Sequence, residues 1–301
     1  MGKDTANAAG RTRETRLLLL GDGRRLAYEE SGDPHGRPVF FFHGWCASRI
    51  LRHPDDARTA SLGVRLVTVD RPGAGLSDFQ PRRTLLDWPA DVAALADTLR
   101  FDRFAIVAHS GAGPHALACA SLLAERVRHV SVVSGFSPID WPGATDGMAT
   151  HMRQGASMLR RLPFFAGLML RPLPAKYRKD PAAAFEAQFG RGMGPSDRAL
   201  LANPEFARVL HAAAVEAFRQ GARGPAQELL LFLARPWGFK PEDIAVPVHL
   251  WYGTADVTAP IGMGRALARA IRGSELVELR DAGHLAYLEH WDPIMRAATA
   301  G

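Results

Sequence analysis

Three residue types that together perform nucleophilic catalysis occur in this chain in one order and one kind of setting. Residues 107–113 read V-A-H-S-G-A-G, with Ser110 between an apolar run, FAIVA, and a helix-forming run, PHALACASLLAE. A serine hydroxyl is a poor nucleophile near neutral pH. It needs a base, a group that orients the base, and donors for the oxyanion that its attack creates. A strand turning sharply into a helix lifts such a hydroxyl above a sheet and aims backbone N–H groups at that oxyanion. The usual mark of this turn is Gly-x-Ser-x-Gly, and here Ala108 and Ala112 replace both glycines. Alanine adds only a methyl, so taken alone Ser110 fits a nucleophile turn and a small-residue loop equally well. Downstream, Asp256 follows the apolar run PVHLWYG and His284 follows SELVELR. Ser, Asp and His, each just past a strand end, are nucleophile, orienting acid and base in that order. Plainer readings stand beside this one. Asp256 also reads as a cap for the helix from Pro260, and Asp140, past HVSVVSG, is a rival acid. His109 and His290 are the rivals of His284.

The elements that must position these residues follow from the spacing of apolar runs. RPVFFFHG (37–44), VRLVTVD (64–70), FAIVAHSG (104–111), HVSVVSG (129–135), PVHLWYG (247–253) and SELVELR (274–280) read as buried strands. Helical spacing fills the intervals at 85–99, 114–125 and 264–272. Alternating strands and helices predict an α/β fold: a mostly parallel central sheet with helices on both faces. In such sheets ligands bind at the carboxyl ends of strands, where the polar clusters fall. LLLL and RRLAYEES around Asp22-Gly23 predict a hairpin at the sheet edge. Residues 137–236 break the rhythm, with Met/Leu/Ala-rich helical patterns, frequent proline and no strand. They read as an all-helical lid inserted between two sheet strands, leaving 17–136 and 237–301 as the core. Residues 1–16 read as a disordered leader.

Composition narrows the function classes. At 301 residues and 47% apolar content the chain can bury a large core, and no run of about 18 apolar residues predicts a membrane span. Cys46 and Cys119 are far apart, as in a cytoplasmic protein with two free thiols. The net charge of +6 is concentrated: residues 137–236 carry 13 basic and 8 acidic residues, and 1–16 carry four and two. Without interleaved aromatics or a nucleic-acid motif, this excess does not predict nucleic-acid binding. DRPGAGLSD lacks the third glycine of a dinucleotide loop, and no His-Glu-x-x-His or Cys-x-x-Cys occurs. No cofactor and no metal are expected.

From about residue 24 onward the sequence resembles the α/β-hydrolase fold family. FFHGWCASR (41–49), DRPGAGLSD (70–78), AHSGAG (108–113), YGTADVTAP (252–260) and DAGHLAYLEH (281–290) carry the likeness. The resemblance implies Ser110 as nucleophile, His284 as general base and then acid, and Asp256 orienting the imidazole. It matches His43-Gly44 to the family's His-Gly loop and implies oxyanion N–H groups from Trp45 and Gly111. A substrate is expected against His43, Gly44, Cys46, Phe136, Met152, Phe164 and Phe165.

The expected reaction is hydrolysis of an ester, thioester or lactone of a small to medium apolar molecule through an acyl-enzyme. The alternatives are a C–C bond hydrolase, a non-hydrolytic lyase or cyclase, and an aminopeptidase of the proline-iminopeptidase kind. The last would need lid carboxylates such as Glu205, Glu216 or Glu228 for a substrate amine. The positive lid raises the further expectation of an anionic or carrier-linked acyl group. The partner is a small-molecule substrate, with neither nucleic acid nor membrane, and the chain is expected as a monomer or homodimer.

Overall fold

The computed structural model of the chain describes residues 14–300. Eight strands form one sheet: β1 (Arg16–Leu19), β2 (Arg25–Gly32), β3 (Arg37–Phe42), β4 (Val64–Val69), β5 (Phe104–His109), β6 (Val127–Val133), β7 (Val248–Gly253) and β8 (Glu275–Leu279). Their order is β1-β2-β4-β3-β5-β6-β7-β8. The β1–β2 and β2–β4 pairs are antiparallel and every other pair is parallel, so the expected edge hairpin is present. Thirteen α-helices are described. They are α1 (Asp56–Ser61), α2 (Trp88–Thr98), α3 (Gly113–Leu122), α4 (Thr150–Arg161), α5 (Phe165–Leu170), α6 (Leu173–Lys179), α7 (Pro181–Phe189), α8 (Pro195–Leu201), α9 (Pro204–Ala217), α10 (Arg223–Leu233), α11 (Ile261–Ala270), α12 (Ala286–Glu289) and α13 (Trp291–Thr299).

The strands are apolar on both sides because helices cover both faces. Side-chain alternation sends Phe40 and Phe42 of β3 into one core, with Trp88 and Val92 of α2 and Ala116 and Leu117 of α3. Val39 and Phe41 enter the other, with Trp291, Ile294 and Met295 of α13. In β5, Ile106 and Ala108 face the first core, and Ala105 and Val107 the second. The central strand is thus held rigidly up to the residue before Ser110.

Helices α4 to α10 all lie between β6 and β7, which are themselves neighbours in the sheet. The expected leader over 1–16 needs its boundary corrected. Residues 1–13 lie outside the described residues, but Arg16 opens β1, which gains a hydrogen-bonding partner in β2. The Thr15 hydroxyl donates to Glu29 Oε1 at 2.9 Å.

Candidate active site

Strand β5 ends in extended backbone at His109, and Ser110–Ala112 form a single 3-10 turn before α3. Ser110 has φ +57°, a left-handed conformation that a non-glycine residue occupies at a cost of about 1–3 kcal/mol. Such strain marks a side chain presented by a sharp turn. The alanines flanking it are explained by packing. Ala108 and Ala112 are fully buried, and their methyls belong to the core. The tight approaches fall at other positions of the turn. A Cβ on Gly111 would stand 2.8 Å from the Phe232 ring, and one on Gly113 would stand 3.1 Å from Val132 Cγ1 and 3.2 Å from Gly135 Cα. The turn is therefore tightest at 111, and tight at 113, while 108 and 112 accept a methyl.

The loop after β8 brings His284 Nε2 to 2.9 Å from Ser110 Oγ. The loop after β7 brings Asp256 Oδ2 to 2.8 Å from His284 Nδ1. The carboxylate holds the ring proton on Nδ1, so Nε2 faces the serine hydroxyl as an acceptor. Oδ1 of Asp256 accepts from the N–H groups of Thr258, at 2.8 Å, and Ala259, at 3.0 Å. The capping reading of Asp256 fails, because α11 has Pro260 at its N-cap and no side-chain cap; Oδ1 closes the loop before that helix while Oδ2 holds His284. Asp140 is exposed and ion-paired with Arg160 at 3.0 Å, away from the imidazole.

Burial works against the charged form of His284, but Asp256, through charge and hydrogen bond, and then Asp197 carry its pKa above the ordinary value. Asp197 escapes sequence reasoning. It stands on α8, is 1% exposed, and accepts from the N–H groups of His284, at 3.1 Å, and Leu285, at 2.8 Å. A Cβ on Gly283 would strike its carboxylate, so the Gly-His pair of DAGH is the one local signal of that contact.

A cavity of about 250 Å³ opens over Ser110 and His284. Gly44, Trp45, Cys46, Phe136 and Met152 line it, as expected from the sequence. Three expected residues do not. His43 is buried behind its loop, with Nδ1 2.9 Å from the Gly44 carbonyl, and burial holds the ring neutral. Phe164 is 69% exposed, and Phe165 stacks on it while packing against the core from outside the cavity. Their helix, α5, packs on α10, and it is α10 that reaches the cavity, through Leu229, Phe232 and Leu233. Phe185 and Phe189 of α7 and Leu210 of α9 complete the apolar wall and were not singled out from sequence. Their helical spacing was legible, but not which face meets the serine.

The loop after β3 is pinned from the helical segment. Trp45 Nε1 donates to the Pro225 carbonyl at 2.8 Å, and Gln188 Nε2 donates to Cys46 Sγ at 3.3 Å. Burial pushes the Cys46 thiol up, so it is not a rival nucleophile. His109 is also no rival base: burial and the nearby His284 hold it neutral, and Nε2 lies 2.9 Å from the His284 carbonyl. His290 caps α12, away from the cavity lining. Among the described residues no group of three or more His, Cys, Asp or Glu is arranged to hold a metal ion. No helix among them is long and apolar enough to cross a membrane.

The chain is similar to several known proteins. A family model described as alpha/beta hydrolase fold matches residues 37–290. A serine hydrolase-like protein of Danio rerio is 35% identical over 136 residues, which are 41% of this chain and 38% of that protein. The chain thus spans well under half the length of that relative. A pimeloyl-(acyl-carrier protein) methyl ester esterase of Neisseria meningitidis is 27% identical over 279 residues, covering 89% of this chain and 93% of the other. Among solved structures, an enol-lactonase from Burkholderia xenovorans superposes with a TM-score of 0.68 at 22% identity, over 93% of this chain and 97% of that one.

Proposed function

The chain belongs to the alpha/beta hydrolase fold family and is an enzyme, and on that premise we propose a serine hydrolase that cleaves an ester, thioester or lactone of a small to medium apolar substrate. One observation carries the reading: a strained Ser110 within 2.9 Å of His284 Nε2, whose other nitrogen is 2.8 Å from Asp256, under an apolar cavity. Ser110 Oγ attacks the substrate carbonyl carbon while His284 Nε2 takes its proton. The carbonyl oxygen becomes an oxyanion, received by the N–H groups of Trp45 and Gly111. Collapse of this intermediate breaks the bond to the leaving group, which takes the proton back from His284. Water then attacks the acyl-enzyme with His284 as base. A second collapse frees the carboxylic acid and returns the proton to Ser110.

The segment from 137 to 236 acts as the lid and sets substrate choice, since α4, α7, α9 and α10 supply cavity wall. The names of the Neisseria and Burkholderia proteins, a methyl ester esterase and an enol-lactonase, agree with an acyl substrate. The three lid carboxylates weighed for the aminopeptidase alternative stand away from the cavity. Glu205 is exposed, Glu216 is paired with Arg49, Glu228 is paired with Arg71, and none lines the cavity.

Exposure to a fluorophosphonate followed by peptide mass spectrometry tests the proposal. Labelling is expected on Ser110, absent in Ser110→Ala and sharply reduced in His284→Ala. A wild-type protein that stays unlabelled overturns it. Labelling without turnover of any ester, thioester or lactone would favour the lyase or cyclase alternative.

A further inference from the structure

Behind the two loops assigned to the oxyanion lies a closed cluster of charge that the reaction above does not use. Arg71, from the loop after β4, is fully buried and meets Glu228 of α10 twice, Nε to Oε1 at 2.7 Å and Nη2 to Oε2 at 2.9 Å. Arg83 is 2% exposed and donates to the same Oε1 at 3.0 Å. His115 of α3, fully buried, places Nε2 at 3.2 Å from that oxygen and 3.4 Å from Arg83 Nη1. Five charged or titratable side chains from separate parts of the chain converge here once His43 is included. Arg71 Nη2 lies 3.3 Å from His43 Nδ1.

Each branch of the cluster ends at a catalytic loop. His43 Nδ1 lies 2.9 Å from the Gly44 carbonyl. That carbonyl belongs to the peptide whose N–H is that of Trp45, so with the ring proton on Nδ1 the hydrogen bond polarises the donor proposed for the oxyanion, and Arg71 then packs against His43 without donating to it. His115 Nδ1 lies 3.2 Å from the carbonyl of Gly111, the other proposed donor residue, and the neutral ring, having one N–H, donates either there or through Nε2 to Glu228. Two guanidiniums face one carboxylate, and burial keeps both imidazoles neutral. One positive charge is therefore left over behind these loops. Buried Arg71 Nη1 and Arg83 Nε make no hydrogen bond among the described residues.

We propose that Glu228 is a positioning residue that fastens helix α10 to both oxyanion loops by gripping Arg71, Arg83 and His115 at once. The inference rests on the serine-hydrolase reading and extends it. The helical segment walls the cavity and also sets the geometry of the donors opposite Ser110. Removing the carboxylate leaves two buried cations facing each other, and the loops they support shift. The loss should fall on the step in which the oxyanion forms and leave substrate binding almost untouched.

The test uses the full-length protein with p-nitrophenyl acetate as substrate and a fluorophosphonate as probe. Glu228→Gln is expected to lower kcat by about 10- to 100-fold while KM changes by less than about threefold. Labelling of Ser110 should slow by a similar factor, because phosphonylation also places an oxygen against the same donors. The triple variant Arg71→Met/Arg83→Met/Glu228→Met keeps the test decisive if Glu228→Gln fails to fold, because no buried charge of the cluster is left unpaired. Replacing a buried ionic cluster by apolar side chains often restores stability. The triple variant is expected to regain its melting temperature while kcat stays low. A kcat within about twofold of wild type in Glu228→Gln, or full recovery of kcat in the triple variant, overturns the positioning role. An unlabelled wild-type protein overturns the hydrolase reading and this inference together.

Discussion

Two histidines stand beside carboxylates on either side of the nucleophile turn, His284 at 2.8 Å from Asp256 and His115 at 3.2 Å from Glu228. Burial disfavours the charged ring in both, yet the pKa of His284 is raised and that of His115 is pushed down to about 4. The difference lies in the surrounding charges. His284 has Asp256 and Asp197 near it, whereas His115 shares its one carboxylate with Arg71 and Arg83. A carboxylate at hydrogen-bond distance therefore does not by itself make a histidine a proton carrier. The pair must also be free of competing cations, and only His284 meets that condition while opening on the cavity.

Mutation can break this contrast. Ser110→Ala or His284→Ala should reduce kcat by roughly a millionfold, measured on whichever ester the wild type turns over. Asp256→Asn follows at roughly 10⁴-fold, because the imidazole loses its fixed tautomer, while Asp140→Asn should stay within about twofold. The reverse result would exchange the roles of the two acids.

Titration sharpens the contrast, because the two rings act with opposite sign. The proposed reaction requires a neutral His284, so its raised pKa moves the acid limb of the kcat/KM profile above pH 6.5. The stability that His284 contributes as a cation is fully present below pH 6.5 and is lost as pH rises through its folded value. His115 resists a proton that the unfolded chain accepts, so its contribution fades as pH falls from 6.5 to about 4. That loss amounts to roughly 3 kcal/mol at most. Chemical unfolding at pH 7 and pH 4.5 should show a smaller acid penalty in His115→Gln, with the kcat/KM limb unmoved. A shifted limb would mean that the two rings are coupled.

The smallest effect is expected from the positive surface of the helical segment. Arg160 is exposed and already paired with Asp140, and surface pairs of this kind contribute about 0–1 kcal/mol. Arg160→Ala/Arg161→Ala should change hydrolysis of neutral and anionic esters equally, by less than about twofold. A selective loss on the anionic ester would support the carrier-linked or anionic substrate.

The sheet and the convergence of Ser110, Asp256 and His284 were legible because each follows an apolar run bounded by turn residues, a pattern local in sequence. The lining was half legible. Phe136 and Met152 reach the cavity, but Phe164 is exposed, since an apolar residue in a short helix carries no mark of which neighbour it faces. Asp197 and Glu228 were hidden for a different reason. Glu228 lies 157 residues from Arg71, and Asp197 lies 87 from His284, so only the fold joins them. The missing glycines at 108 and 112 were legible as an anomaly, and packing explains them.

One consequence follows from the helical segment filling a single crossover between adjacent parallel strands. Such a crossover needs only about a dozen residues. The rest of this one is a cassette, exchangeable without altering strand order, while Ser110, Asp256 and His284 all stay on sheet loops. Asp197 and Glu228 are among the carboxylates that leave with it, however. A transplanted segment would reshape the cavity, but it would also have to supply acceptors for the N–H groups of His284 and Leu285 and a counter-charge for Arg71 and Arg83.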